Sequence, residues 1–156
     1  MFKRISIVLL ASAMLTVSAA ASTVSFYVVE AGKNEKADSK ISDLWETAFM
    51  DVFFEAGYII SNAPVMQLAR CPSNILQIVD FKEAAYCGID YMLIVLLDYK
   101  QGEARPEEIS FYVFKVNKRE KITESKIRQR TYSRNAREEY DNMKSIARGF
   151  VPYIGD

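Results

Sequence analysis

Histidine is absent from all 156 residues. Hydrolysis of the Ser-His type therefore has no imidazole to take the nucleophile's proton, and a zinc-protease helix has no ligands. Glycine is scarce, at six, and no glycine-rich loop is present to bring backbone amides onto a phosphate. Cysteine occurs twice, too few for a zinc site that normally takes four ligands. Neither sign of charge is in excess, because 20 Lys and Arg face 20 Asp and Glu. Paired carboxylates remain a catalytic option. Asp90 and Asp98, however, bracket one predicted strand and stand roughly 26 Å apart by strand rise, which suits caps at strand ends. The expectation is no catalytic residue, no metal and no cofactor.

What is present is apolar. Half the chain is hydrophobic and 12% is aromatic, with 26% charged. That excludes a disordered chain, which could not bury enough apolar surface to offset its ordering entropy. The length fits one domain.

Residues 1–21 read as a cleaved signal peptide. Lys3 and Arg4 give the positive start, residues 5–17 form an apolar run, and Ala19, Ala20 and Ala21 supply the small residues a signal peptidase accepts. As a helix, thirteen apolar residues reach about 20 Å, short of the ~30 Å hydrocarbon core, so a membrane-spanning anchor is not expected. No cysteine lies near the cleavage site, so no lipid anchor is expected either. Residues 22–156 would form a single domain, periplasmic or secreted, with a net charge of −2. Charge is unevenly placed: residues 115–137 carry nine basic and two acidic side chains.

Two cysteines in an exported chain invite a disulfide. A helix over residues 73–86, capped by Ser73 and ended by Gly88, would hold Cys71 and Cys87 about 20 Å apart. A disulfide tolerates Cα atoms no more than about 7 Å apart. Free, buried thiols are expected within the chain, with intermolecular pairing left open.

Along the chain, residues 23–29 are rich in β-branched and aromatic residues and predict a strand. Ile41, Leu44, Trp45, Ala48, Phe49, Val52 and Ala56 recur at helical spacing, with Ser42 as a cap and Gly57 as terminator. A short strand over 58–61 precedes a helical turn over 62–68, where Pro64 suits a first helical position. Residues 90–99 are the most apolar run outside the signal and predict a central strand buried on both faces. A strand over 109–116, a turn and a partner strand over 121–132 form a hairpin. A final helix, capped by Ser133 or Asn135, carries Tyr140, Met143, Ile146, Ala147 and Phe150 on one face. The expected fold class is α+β: a mixed four- to five-stranded sheet packed with three to four helices, in the order β-α-β-α-α-β-β-β-α.

Both sheet faces are apolar. Phe111 and Val113 point one way, and Tyr112, Phe114 and Val116 the other. A second face needs a helix, a subunit or a partner to cover it. Lys126, Arg128 and Arg130 alternate on one strand and project from one face. That pattern suits a basic patch for an acidic partner, or a solvated edge strand on which cations discourage unwanted pairing. The candidate contact surface is therefore Tyr91, Tyr112 and Phe114, rimmed by Lys126, Arg128 and Arg130. Nucleic acid is not an expected partner of an exported, net acidic chain.

The junction from Glu83 through Gly88, Ile89, Asp90 and Tyr91 into Met92, Leu93, Ile94 and Val95 resembles one in a group of envelope domains. The group comprises the TolB amino-terminal domain, CsgG and LpoB. An opening strand and a long helix ending as Glu55, Ala56, Gly57 and Tyr58 do here also belong to that pattern, as do the hairpin and closing helix. The resemblance implies a non-enzymatic periplasmic interaction or adaptor domain, binding an envelope protein or associating with itself. Two alternatives stand beside it: a small exported enzyme or ligand carrier with a pocket at the strand ends, and a structural subunit of an oligomeric envelope assembly.

Overall fold

A computed structural model describes residues 21–35, 38, 40–100, 103–128 and 135–155. The predicted signal peptide, save Ala21, lies outside the described residues. The elements are β1 (Thr23–Ala31), α1 (Lys40–Glu55), β2 (Ile59–Asn62), β3 (Met66–Leu68), α2 (Phe81–Tyr86), β4 (Tyr91–Asp98), β5 (Glu108–Lys115), β6 (Glu120–Arg128) and α3 (Ala136–Arg148). Short 3₁₀ turns, Ile75–Ile78 and Val151–Tyr153, precede α2 and follow α3. This is the expected α+β class, with a six-stranded mixed sheet in the order β2-β1-β4-β5-β6 and β3 pairing β1 beyond β2. β1 runs parallel to β2, β3 and β4. β4, β5 and β6 form an antiparallel meander.

Two crossovers cover the two faces. From β1 the chain crosses through α1 to β2 on one side; from β3 it crosses through α2 to β4 on the other. Parallel crossovers share one handedness, so opposite directions of travel require opposite faces. On the first face, α1 and α3 cover Val24, Phe26, Val28, Leu93, Val95, Ile109, Phe111 and Val113. Phe49 lies at the centre of this layer, with Phe26, Phe53, Phe111, Trp45 and Phe150 all within 6.3 Å by ring centroid. On the second face, Ile75, Ala84, Phe81 and the 3₁₀ turn cover Val29, Met92, Ile94, Leu96, Tyr112 and Phe114.

Helix ends follow local chemistry. Gly57, at φ +88°, adopts the left-handed conformation that ends α1, and the Tyr58 N–H reaches back to the Phe53 carbonyl at 3.1 Å. Gly32 sits at φ +70°, where an added Cβ would stand 2.5 Å from the Tyr99 carbonyl oxygen. No larger side chain fits that crossing of the β1 and β4 ends.

Three local expectations fail. Ser42 is not the cap of α1: the helix begins at Lys40, whose N–H donates to Asp38 at 3.0 Å, and the Ser42 hydroxyl donates to Glu30 instead. Residues 66–68 are a strand instead of a helical turn, because the edge of β1 beyond β2 still offers unpaired backbone groups, which β3 satisfies. The helix expected over 73–86 is broken in two. Asn74 accepts from the Leu76 N–H at 3.0 Å, and Asp80 accepts from the Lys82 and Glu83 N–H groups at 3.0 Å each. Each side chain starts a new helical turn, and Val79 between them is extended. The continuous helix that was to separate the cysteines does not exist. Both are nonetheless free, with Cys71 half-buried and Cys87 exposed instead of buried.

Candidate functional site

The aromatic part of the expected surface is interior. Tyr91, Tyr112 and Phe114 are 3%, 7% and 0% exposed. The second sheet face is closed by the chain itself: Phe81 from α2 meets Phe114 edge-on at 5.7 Å. These three rings are core residues of the domain and present no outer contact face.

The basic part is on the surface. Lys126 and Arg128 are exposed on β6, and both reach Glu108 on β5, at 3.3 and 3.6 Å. The Glu108 bond raises the pKa of Lys126, which stays charged. Arg130 lies outside the described residues. β6 is the last strand of the sheet, and β5 is its one strand partner among the described residues. About every second residue of the nine therefore points its N–H and C=O away from β5, a row with no strand partner among the described residues.

A groove runs beside that edge on the side of α3. Phe111, Glu124, Ser125, Ile127, Ile146 and Phe150 are among the residues lining about 400 Å³ of it. A second hollow of about 290 Å³ lies by the hairpin turn, between Lys115, Lys118, Ile122 and Pro152. Tyr153 borders both. Lys115 Nζ stands 5.3 Å over the Tyr91 ring. A bulge between Val113 and Phe114 shifts the β5–β6 register, and Ile122 packs against the core of the α1 face. Neither hollow could be read from the sequence, since both need α3 laid back across the sheet.

Two polar clusters lie elsewhere, the first of them buried. Glu30, 1% exposed, accepts from Lys33 Nζ at 2.6 Å and from the Ser42 hydroxyl at the start of α1, with Gln67 Nε2 at 3.4 Å. Its charge is paired and hydrogen-bonded, as burial demands. On the second face, a hollow of about 690 Å³ is lined by Arg70, Cys71, Ser73 and Gln77 with apolar neighbours. Burial, a hydrogen bond to Asp98 and the Asp98 and Glu108 charges push the Cys71 thiol up to about 12. It is protonated at neutral pH, which removes the thiolate that nucleophilic or metal-binding cysteine chemistry needs. Asp90 accepts from the Thr23 N–H at 2.9 Å, so the two aspartates bound opposite ends of β4. No cluster of His, Cys, Asp or Glu suited to a metal ion occurs among the described residues, and no helix among them is long and apolar enough to cross a membrane.

Fold and surface together define an α+β domain with a mixed sheet, whose surface carries a strand edge beside a groove and a separate hollow on the second face. Residues 23–115 match a family described as "Uncharacterised protein", and the chain belongs to that family. No curated protein matches it in sequence. Among solved structures, the chain is similar to TolB from Acinetobacter baumannii, at 10% identity and a TM-score of 0.47 over 85% of this chain and 29% of that one. It is similar to the PelC dodecamer from Paraburkholderia phytofirmans, at 12% identity and 0.47 over 82% and 86% of the two chains. Lipoprotein GNA1162 from Neisseria meningitidis aligns at 10% identity and 0.45 over 85% and 97%. This chain thus spans under a third of the TolB chain.

Proposed function

We propose that this protein is an exported, non-enzymatic adaptor domain of the cell envelope that works by binding another protein or a further copy of itself. The observation that carries the reading is the outer edge of the nine-residue strand β6, which has no strand partner among the described residues, with Lys126 and Arg128 exposed along it. A strand edge offers main-chain hydrogen bonds to an incoming segment, and its side chains select which segment pairs. The want of any imidazole and the protonated Cys71 thiol support binding over turnover.

The export signal in residues 1–21 supports a periplasmic or secreted location. Amino-terminal sequencing of the protein recovered from the periplasm or medium is expected to start at Ser22, and a start at Met1 in the cytoplasm overturns that part. For the binding role, a photo-crosslinking residue is placed at Ser125 on β6, and another at Ser61 on β2, in the exporting cell. A crosslinked protein or homodimer is expected from at least one edge. Its absence from both, together with a monomer on size-exclusion chromatography, overturns the adaptor reading. So would turnover of a substrate that is lost when one acidic side chain is neutralised.

A further inference from the structure

We propose that the β6 edge and the groove beside it form a docking site for an extended, acidic segment of a partner protein. This rests on the adaptor reading and adds to it the place of binding and the chemistry of what binds. Three observations converge on it. The strand edge is unpaired among the described residues and runs alongside the groove from Ile122 to Ile127. That span accepts a segment of about six residues at ~3.3 Å each. The groove floor is apolar, with Phe111, Ile146 and Phe150, so alternate side chains of an added strand have somewhere to insert.

Charge chooses the partner. Between residues 115 and 128 stand six basic side chains and two acidic ones. Glu120 and Glu124 are those two, and Glu124 is already held by Lys121 at 2.5 Å. Lys118 and Arg119 are exposed at the hairpin turn, and no ion pair among the described residues engages them. A segment bringing carboxylates to this edge meets cations at the turn and at Lys126 and Arg128. A basic segment would meet like charge at the turn and beside Lys126 and Arg128, with Glu120 and Glu124 offering it two carboxylates in between. The surface is concave and lies beside a strand, which suits an extended polypeptide better than the plane of an anionic membrane.

The test uses fluorescence anisotropy on the protein with a dye-labelled, end-blocked peptide, Glu-Val-Glu-Val-Glu-Val-Glu, and the same peptide with lysine for glutamate. Saturable binding of the acidic peptide alone is expected, weakening as salt rises. Lys118→Glu combined with Lys126→Glu is expected to weaken it at least about tenfold. Ser125→Trp keeps every charge but fills the groove, and is expected to weaken it by about as much. Circular dichroism confirms that both variants fold. The proposal is overturned if either variant binds like the parent, if the lysine peptide binds equally well, or if no saturation occurs up to about 1 mM. It is overturned too if vesicles with about 30% phosphatidylglycerol bind the protein and Ser125→Trp leaves that unchanged, which assigns the cations to a membrane surface. Crosslinks from Ser61 but none from Ser125 would leave the adaptor reading standing while removing this one.

Discussion

Cys71 shows how one residue's neighbours settle its chemistry. Its thiol donates to Asp98 and lies near Glu108, and together with burial these hold it protonated, up to about 12. At pH 8 its thiolate fraction is roughly one in ten thousand. Titration with a thiol reagent at that pH is expected to give one fast equivalent from exposed Cys87 and one much slower equivalent from Cys71. Two fast equivalents would contradict this local arrangement. Composition could show that thiols were few, but not which would be guarded, because Asp98 reaches Cys71 only after β4 is laid beside the β3 crossover. The same holds for Glu30. Its partners Ser42 and Gln67 come from two other elements, α1 and β3, which only the fold brings to it.

At the scale of elements, α1 supplies the aromatic layer of the first face through Trp45, Phe49 and Phe53. Phe49→Ala removes the ring at the centre of the aromatic layer and is expected to cost about 3–5 kcal/mol, measured by urea denaturation. Against a total of about 5–15 kcal/mol for an ordinary domain, that brings the fold close to its limit. The packing of α3 against α1 is fastened by Tyr140, whose hydroxyl donates to Asp51, and by Lys144, which reaches Glu55 at 2.8 Å. The bond to Asp51, with burial and the Asp51 charge, raises the Tyr140 pKa to about 12 from its ordinary 10. The folded state then holds the proton longer than the unfolded state does. Its stabilisation is full below pH 10 and falls away as pH rises towards 12. Cys71 acts in the same sense between pH 9 and 12. Tyr140→Phe is expected to lose about 1 kcal/mol at pH 7 and to show a shallower alkaline decline in its urea midpoint. An unchanged alkaline slope would contradict the coupling.

Whole-molecule behaviour turns on which edges and faces stay open. Among the described residues the crossovers cover both faces of the sheet, with one hollow left on the second face, and β2 and β6 stand at its edges. Lys126 and Arg128 share Glu108 in an exposed ion-pair group, and such pairs contribute at most about 1 kcal/mol each. Replacing both by Ala is therefore expected to shift stability by no more than about 2 kcal/mol while reducing crosslinking from β6. A large loss of stability would mean that the pair holds the strand instead of serving its edge.

The strands β1, β4, β5 and β6, the helices α1 and α3, and the α+β class were legible because apolar periodicity and turn residues act locally. Gly57 ends a helix and Asn135 caps one whatever surrounds them. β3 was not legible, since three residues become a strand only when the edge of β1 stands beside them. Nor was the fate of Tyr91, Tyr112 and Phe114, for an aromatic side chain looks the same in a core and at an interface. The sequence by itself determined the longer strands and helices, the uneven charge and the lack of an imidazole. Only the tertiary structure decided which apolar face was covered and which basic residues border an open edge, because burial is set by what packs on top, and here that cover comes from segments distant in the chain.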